Sequence, residues 1–277
     1  MIQLGKINTL TVKRLTSVGA FVGDESQDIL LPKKYLSPNI AVDSQMDVFV
    51  YKDSENRWIA TTLKPYIFRN EFACLRVKDI NKTGAFLDWG IEKDLLIPYR
   101  EQNVKMQVGK WYIVYLYEDS QTERLVATTK ISKYLQNENI ALAQNEAVNI
   151  LIAKETDLGY NVIINNQHWG LLYKNEIFKR VFFGDKLKAY VKNIRPDQKI
   201  DVSLDPQGME SIEPNAQQIL EALKKNKGFL PLHDQSSPEE IKQKLQMSKK
   251  AFKKAIGSLY KQQIIDISDK GIKQRNP

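Results

Sequence analysis

The same sequence pattern occurs twice in this chain, and this repeat constrains the fold more than any other feature. The first copy reads "SVGAFVGDESQDILLPKKYL" and the second reads "KTGAFLDWGIEKDLLIPYRE". Each has Gly-Ala-Phe, a polar stretch and an apolar run that ends in proline. The glycines, Gly19 and Gly84, are 65 residues apart, and the prolines, Pro32 and Pro98, are 66 apart. A nearly constant period indicates duplicated structural units.

A third and more divergent copy follows the first two. It begins at Val148 and is completed by Leu204. Gly159-Tyr160 stands where the other copies have Gly-Ala-Phe, and "WGLLY" stands where they have the run ending in proline. We therefore expect three related units in tandem.

Each copy is predicted to form about five short strands. The apolar runs are rich in Val, Ile, Phe, Tyr and Thr, and Gly, Asp, Asn and Lys separate them. "VFVY" and "YIVYLY" are continuous apolar runs, typical of strands that are buried on both sides or line a barrel. Five strands with a bending glycine indicate an OB-fold barrel. An SH3-like barrel fits the strand count nearly as well.

The last quarter of the chain changes to a helical period. Ser237 is predicted to cap a helix, with Pro238 at its first position and Glu240 completing a capping box. The following helix, "SKKAFKKAIGSLYKQQ", has one apolar stripe with four lysines off it. A hairpin is predicted to turn at Asp269-Lys270-Gly271. An earlier helix is predicted over "NAQQILEALKKNKG", where Ile219, Leu220 and Leu223 have helical spacing and Gly228 offers a C-cap. Three helices followed by a hairpin form a winged helix.

The positive charge is concentrated in this last segment. The chain of 277 residues has a net charge of +8, and residues 212–277, with 13 basic and 7 acidic residues, contribute +6 of it. A basic domain beside nearly neutral ones favours contact with a polyanion. A lysine-rich surface that merely aids solubility is the competing interpretation.

The motif order resembles the S1-type RNA-binding domain. The likeness is closest in the third copy, through "WGLLYKNE", Gly184-Asp185 and "KIDVSL". The first two copies have Leu-Leu-Pro or Leu-Ile-Pro where that family has a histidine. The whole order, with the tail "MSKKAFKKAIGSLYKQQIIDI", resembles the bacterial conserved virulence factor B family.

This resemblance implies a mainly β chain with a C-terminal α+β domain. It implies three tandem five-stranded S1-like OB-fold barrels followed by a winged helix. The expected domains are residues 1–65, 66–135, 145–205 and 212–277, with "DPQGMESIEP" as a linker before the last of them.

The same resemblance assigns an RNA-binding surface to the barrels. The matching residues are Phe21 and Arg57 in the first copy, Phe86 and Arg124 in the second, and Tyr160, Tyr173 and Lys199, with Trp169 nearby, in the third. Core packing is the alternative role for Phe21 and Phe86. In the winged helix, the candidate phosphate contacts are Lys249, Lys250, Lys253 and Lys254. The alternative is that the winged helix is a protein-binding module and that these four lysines only form a solvated face of its helix.

The expected function is non-catalytic binding of single-stranded RNA in transcriptional or post-transcriptional regulation. No phosphate loop or nucleophile elbow is present, and two histidines and one cysteine form no metal spacing, so we expect no enzyme, metal or cofactor. The alternatives are DNA binding through the winged helix and a protein scaffold whose first two barrels no longer bind RNA. A protein partner or a homodimer stays open. No signal-like start or membrane-length apolar run occurs, so we expect a cytoplasmic protein without membrane contact.

Overall fold

A computed structural model of the chain describes residues 1–177, 179–206 and 214–275. The described residues fall into two compact units. The first comprises residues 1–174 and 181–202, and the second comprises residues 175–180 and 203–277. Most of the predicted linker, residues 207–213, lies outside the described residues.

The first barrel contains five strands: β1 (Ile7–Thr16), β2 (Gly19–Gly23), β3 (Asp28–Pro32), β4 (Gln45–Lys52) and β5 (Trp58–Thr61). They close in the order β1-β2-β3-β5-β4, and β3 pairs with β5 in parallel while the other pairs are antiparallel. This Greek-key order is that of an OB-fold. It decides between the two barrel types that the strand count left open.

The next two copies repeat the same plan. The second has β6 (Phe72–Ile80), β7 (Gly84–Asp88), β8 (Leu95–Pro98), β9 (Trp111–Asp119) and β10 (Arg124–Thr128), in the order β10-β9-β6-β7-β8 with β8 beside β10. The third has β11 (Ala147–Glu155), β12 (Gly159–Ile164), β13 (His168–Tyr173), β14 (Lys186–Ile194) and β15 (Ile200–Ser203), closed in the order of the first. The prediction of three five-stranded units is confirmed. The division into separate domains stays a prediction, because all three barrels belong to one compact unit.

The glycine of each repeat allows two strands to approach closely. Gly19, Gly84 and Gly159 pair with Pro32, Pro98 and Tyr173 on the neighbouring strand. A Cβ at any of these glycines would lie against the backbone carbonyl oxygen of that strand. The repeat therefore keeps glycine there for steric reasons.

A bulge recurs in the first strand of every barrel. The pairing register shifts between Val12 and Arg14, and in the same way at Val77 to Asp79 and at Ile152 to Lys154. Such a bulge bends the strand and redirects the side chains that follow it. As a result, the residue after each bulge faces outwards beside the second strand.

The barrels pack directly on one another. In β4, Val48 and Val50 belong to the core of the first barrel, whereas Phe49 and Tyr51 belong to the core cluster of the second. The second and third barrels share another cluster, which includes Phe72, Ile113, Tyr134, Leu135, Leu151, Ile163 and Trp169. The three barrels are consequently not independent modules on flexible tethers.

The second unit is a winged helix. It contains α1 (Pro214–Lys225), β16 (Phe229–Leu230), α2 (Pro238–Leu245), α3 (Lys249–Lys261), β17 (Ile265–Ser268) and β18 (Gly271–Gln274), with the sheet order β16-β18-β17. Ser237 and Glu240 form the predicted capping box, and the hairpin turns after Ser268 as expected. The short strand β16 was not predicted. Among the described residues, no helix has the length and hydropathy needed to cross a membrane.

Candidate nucleic-acid interface

Phe21 lies on the outer face of the first barrel. It stands on β2 between Arg14 of β1 and Leu30 of β3. Its neighbours Ala20 and Val22 point into the barrel and are fully buried. The Arg14 guanidinium lies 4.1 Å from the centre of the Phe21 ring, in cation–π contact. Phe21 is therefore a half-buried surface ring next to a cation and not a core residue.

Arg57, in contrast, is held within the turn that joins β4 to β5. Its Nε donates to Asp53 at 2.9 Å, and its guanidinium lies 2.8 Å from the Glu55 carboxylate. The hydrogen bond to Asp53 raises the pKa of Arg57 above its usual value. Two carboxylates thus balance this charge in the protein alone, and a phosphate would have to compete with them.

The equivalent surface of the second barrel has a different character. Phe86 faces outwards between Asp79 and Leu96, so a carboxylate stands where the first barrel has Arg14. Because phosphates are anionic, Asp79 makes this face less favourable for nucleic acid than the first one.

The first barrel also covers part of this second face. Arg124 donates to Asn56 Oδ1 and to the Ser54 carbonyl oxygen, both at 3.3 Å, in the β4–β5 turn. A cleft of about 270 Å³ runs between the two barrels, with Phe86 and Leu96 on one wall. Arg124 therefore serves the contact between barrels as well as lining the cleft.

In the third barrel, an asparagine takes the phenylalanine position. Asn161 pairs with Leu171 as Phe21 pairs with Leu30, and Gly159 pairs with Tyr173 as Gly19 pairs with Pro32. Tyr160 follows the glycine directly and thus matches Ala20. The expected equivalence of Tyr160 with Phe21 is wrong. Phe21 is the second residue after Gly19, and the second residue after Gly159 is Asn161.

A cleft of about 230 Å³ occupies this third face. Its lining includes Asn161, Trp169, Leu171, Arg195, Lys199 and Asp201. Arg195 makes a bidentate ion pair with Asp201, with N–O distances of 2.9 and 2.8 Å. This pairing raises the pKa of Arg195 above its usual value. The cleft thus offers a fixed ion pair, a free amide and an aromatic edge to a ligand.

Tyr173 and Lys199 lie close to this cleft. The Tyr173 hydroxyl accepts a hydrogen bond from Arg195, which ties the end of β13 to the ion pair. Lys199 is exposed at the rim, and its Nζ lies 2.8 Å from the Asp197 carboxylate. Lys199 thus lines the cleft directly, and Tyr173 adjoins it through Arg195.

Trp169 has two roles in the structure. It lines the cleft, yet it also packs in the cluster between the second and third barrels. Asn137 of the connecting segment holds its backbone, accepting from the Trp169 N–H at 2.8 Å and donating to the Trp169 carbonyl oxygen at 2.9 Å. A substitution of Trp169 would therefore affect barrel packing as well as any ligand.

The four candidate lysines of the second unit lie on α3. The apolar stripe of this helix, Phe252, Ala255, Ile256 and Leu259, is buried in the domain core. Lys250, Lys253 and Lys254 are exposed, and Lys249 is half-buried with its Nζ 3.5 Å from the Gln235 carbonyl oxygen. The expectation that these lysines lie off the packing stripe is confirmed.

Sequence reasoning missed the residue after each bulge. Arg14, Asp79 and Lys154 pair with Phe21, Phe86 and Asn161. Each stands five residues before the glycine of its repeat. Aligning the copies on that glycine would have found all three.

Among the residues that the structure describes, no group of three or more His, Cys, Asp and Glu side chains could hold a metal ion.

Comparison with known proteins agrees with this architecture. A family model described as "S1 domain" matches residues 4–63 and 71–130, and one described as "CvfB-like winged helix domain" matches residues 217–273. Proteins named conserved virulence factor B align with most of the chain, including one from Staphylococcus aureus (strain USA300) that is 24% identical over 95% of this chain and 91% of its own. The chain thus contains S1 domains and a CvfB-like winged helix domain, and it is similar to the conserved virulence factor B proteins over most of its length.

Two further proteins are similar to this chain. "Uncharacterized protein YitL" of Bacillus subtilis (strain 168) is 27% identical, and the match covers 93% of this chain and 89% of that protein. A solved structure described as a multidomain protein with nucleic acid binding domains, from Streptococcus pneumoniae TIGR4, is 25% identical with a TM-score of 0.43 and covers 98% of both chains.

The family models support nucleic-acid binding as the activity of this chain. The S1 ranges fall on the first two barrels, whereas the sequence had placed the closest S1 likeness in the third. The third barrel shares the strand order of the first, so its relation to the others rests on topology.

Proposed function

We propose that this protein binds single-stranded RNA, without catalytic activity, and acts in the regulation of bacterial gene expression. The observation that carries the proposal is an outward-facing triplet that recurs in two barrels. It is Arg14, Phe21 and Leu30 in the first barrel and Lys154, Asn161 and Leu171 in the third. Each triplet places a cation, a central side chain that can contact a base and an apolar neighbour on adjacent strands.

The chemistry of these triplets favours an unpaired strand. An exposed ring stacks on a base only when that base is free of its own stacking and pairing partners. A neighbouring guanidinium or ammonium then contacts the phosphate that follows. Duplex nucleic acid would hide the base faces from Phe21.

The second barrel has a mainly structural role in this proposal. Its triplet contains Asp79 in place of a cation, and its Arg124 is engaged by the first barrel. RNA is accordingly bound by the first and third barrels, while the second fixes the distance between them.

The winged helix adds phosphate contacts in this proposal. The segment from residue 212 onwards carries +6 of the net +8, and three of its exposed lysines, Lys250, Lys253 and Lys254, lie on α3. Lysine contacts to phosphate contribute affinity and carry little sequence information. We therefore expect broad sequence tolerance and a steep decrease of affinity with salt.

A filter-binding assay tests the proposal. Labelled single-stranded RNA, single-stranded DNA and duplex DNA would be titrated with the full chain over a salt series. The expected result is retention of single-stranded RNA, a loss of about 1–3 kcal/mol for Phe21→Ala, and a smaller loss for the matched Phe86→Ala. Retention of no nucleic acid would favour a protein scaffold. Preference for duplex DNA would favour a regulator that acts through the winged helix.

A further inference from the structure

A further cleft lies away from the outward-facing triplets. It has a volume of about 410 Å³ and lies between the second and third barrels, at the starts of β11 and β14 and the end of β12. Phe72 of the second barrel forms part of its wall. Neither the family models nor the resemblance to S1 domains assigns a role to it.

The strand register places apolar and polar side chains side by side in this cleft. Leu151 pairs with Lys186 on one side and with Ile163 on the other. Two residues earlier on the same strand, Asn149 pairs with Lys188. Leu151 and Ile163 are almost completely buried, whereas the two lysines are exposed. The cleft therefore has an apolar floor and a polar rim.

The rim is rich in hydrogen-bond donors. Asn165 Oδ1 accepts from the Asn149 N–H at 2.9 Å, and Asn166 Oδ1 accepts from the Phe72 N–H at 3.0 Å. These contacts use the amide oxygens and leave the Nδ2 groups for a ligand. The residues that line the cleft include two lysines and no carboxylate. Its chemistry consequently suits an anionic ligand with hydrogen-bond acceptors.

We propose that this cleft binds a nucleotide. Lys186 and Lys188 contact the phosphate, while the asparagine amides and the apolar floor contact the base. A lone inorganic anion would leave most of the 410 Å³ and the apolar floor unused. Asparagine amides can pair with the edges of bases, and an apolar surface can pack against their faces. The nucleotide is either free or one member of an RNA strand, and only the latter case rests on the proposed function.

Lysine acetylation of the full chain, followed by mass spectrometry, tests this site directly. The probes are 5′-AMP, adenosine, inorganic phosphate and an oligoadenylate RNA. We expect 5′-AMP to protect Lys186 and Lys188 at least about fivefold, with weaker protection by adenosine or phosphate. Lys105 and Lys110, which are exposed in the second barrel, serve as the internal reference. Equal protection by phosphate and 5′-AMP would overturn a nucleotide site, as would no protection by 5′-AMP and RNA.

Paired variants strengthen the test. Lys186→Gln with Lys188→Gln should lower the affinity for 5′-AMP at least about tenfold, whereas Lys105→Gln with Lys110→Gln should leave it unchanged. Suppose that RNA is retained on filters but that neither RNA nor 5′-AMP protects Lys186 and Lys188. This result would overturn the nucleotide site and leave the proposed function intact. Protection by 5′-AMP without any RNA retention supports a free nucleotide and contradicts RNA binding.

Discussion

At the scale of single residues, Asn161 distinguishes the third barrel from the other two. It occupies the central position of the outward-facing triplet, where Phe21 and Phe86 stand in the other barrels. A ring stacks on any base, whereas an amide forms hydrogen bonds that differ between bases. On the proposed function, we therefore expect the third barrel to supply the base preference and the first barrel the general affinity.

Replacing this amide by a ring should change both properties. Asn161→Phe should strengthen binding of single-stranded RNA by about 1–3 kcal/mol, the contribution of one base stack. It should also reduce the differences among ten-residue homopolymers, which fluorescence anisotropy would measure. Val108→Phe introduces the same ring at an exposed site of the second barrel and should change neither property. Stronger discrimination in Asn161→Phe would contradict the assignment.

Gly184 offers a test of the packing between barrels. Its φ is +87°, and a Cβ there would lie 2.6 Å from Cys74 Sγ in the second barrel. Gly109 has a similar φ of +82°, yet the nearest atom to an added Cβ would be 3.7 Å away. The two glycines share a backbone conformation and differ in their surroundings.

Urea unfolding should separate these two effects. Gly109→Ala should cost about 1–2 kcal/mol through backbone strain alone. Gly184→Ala should cost about 1–3 kcal/mol more, because the added methyl group overpacks the contact with Cys74. Equal losses for the two variants would show that the second and third barrels do not press together at this point.

At the scale of secondary-structure elements, β4 is buried on both faces. Its valines fill the first barrel, and Phe49 contacts Trp89 of the second barrel edge-to-face, with ring centres 5.6 Å apart. Burial raises the pKa of Tyr51, on the same side of β4 as Phe49, to about 12. One strand thus contributes to two cores.

The thiol of Cys74, on β6, lies at the contact between the second and third barrels and can be used to probe it. Burial against the third barrel raises the pKa of Cys74 to about 11. The thiolate is the reactive form, so at pH 8 the folded chain should react with a maleimide at least about a hundredfold more slowly than the unfolded chain. The rate should rise about tenfold per pH unit until it approaches pH 11. Gly184→Ala should accelerate it, and equal rates in native and urea-unfolded protein would contradict the burial.

The sequence predicts these elements better than it predicts their contacts. The repeat, its glycines and the helix cap predicted the strand number and the winged helix. The run "VFVY" indicated burial on both sides, but an apolar residue that faces a neighbouring barrel has the same pattern as one that faces a core. Tyr160 was matched with Phe21 because both are aromatic, but counting from Gly159 would have matched Asn161 with Phe21. Ion pairs such as Arg195–Asp201 depend on side-chain geometry that spacing does not show.

At the scale of the whole molecule, the salt dependence of binding should report on the winged helix. Each phosphate contact contributes about 0.7 to the slope of log affinity against log salt for a single strand. Lys250→Gln with Lys253→Gln should therefore reduce the slope by up to about 1.4, with no change in sequence ranking. Lys242→Gln with Lys244→Gln, on α2, removes the same charge as a control. An unchanged slope in both pairs would leave α3 without a nucleic-acid contact.

The direct packing of the three barrels also has a consequence for how the protein responds to ligand length. With flexible tethers, the gain from a second binding site varies gradually with the reach of the chain. Here Phe49 and Tyr51 anchor the first barrel to the second, and Leu135 and Trp169 anchor the second to the third. The distance between the outer binding faces is thereby a fixed property of the fold. On the proposed function, oligonucleotides below a threshold length should therefore engage one face, and those above it should gain the second in a single step.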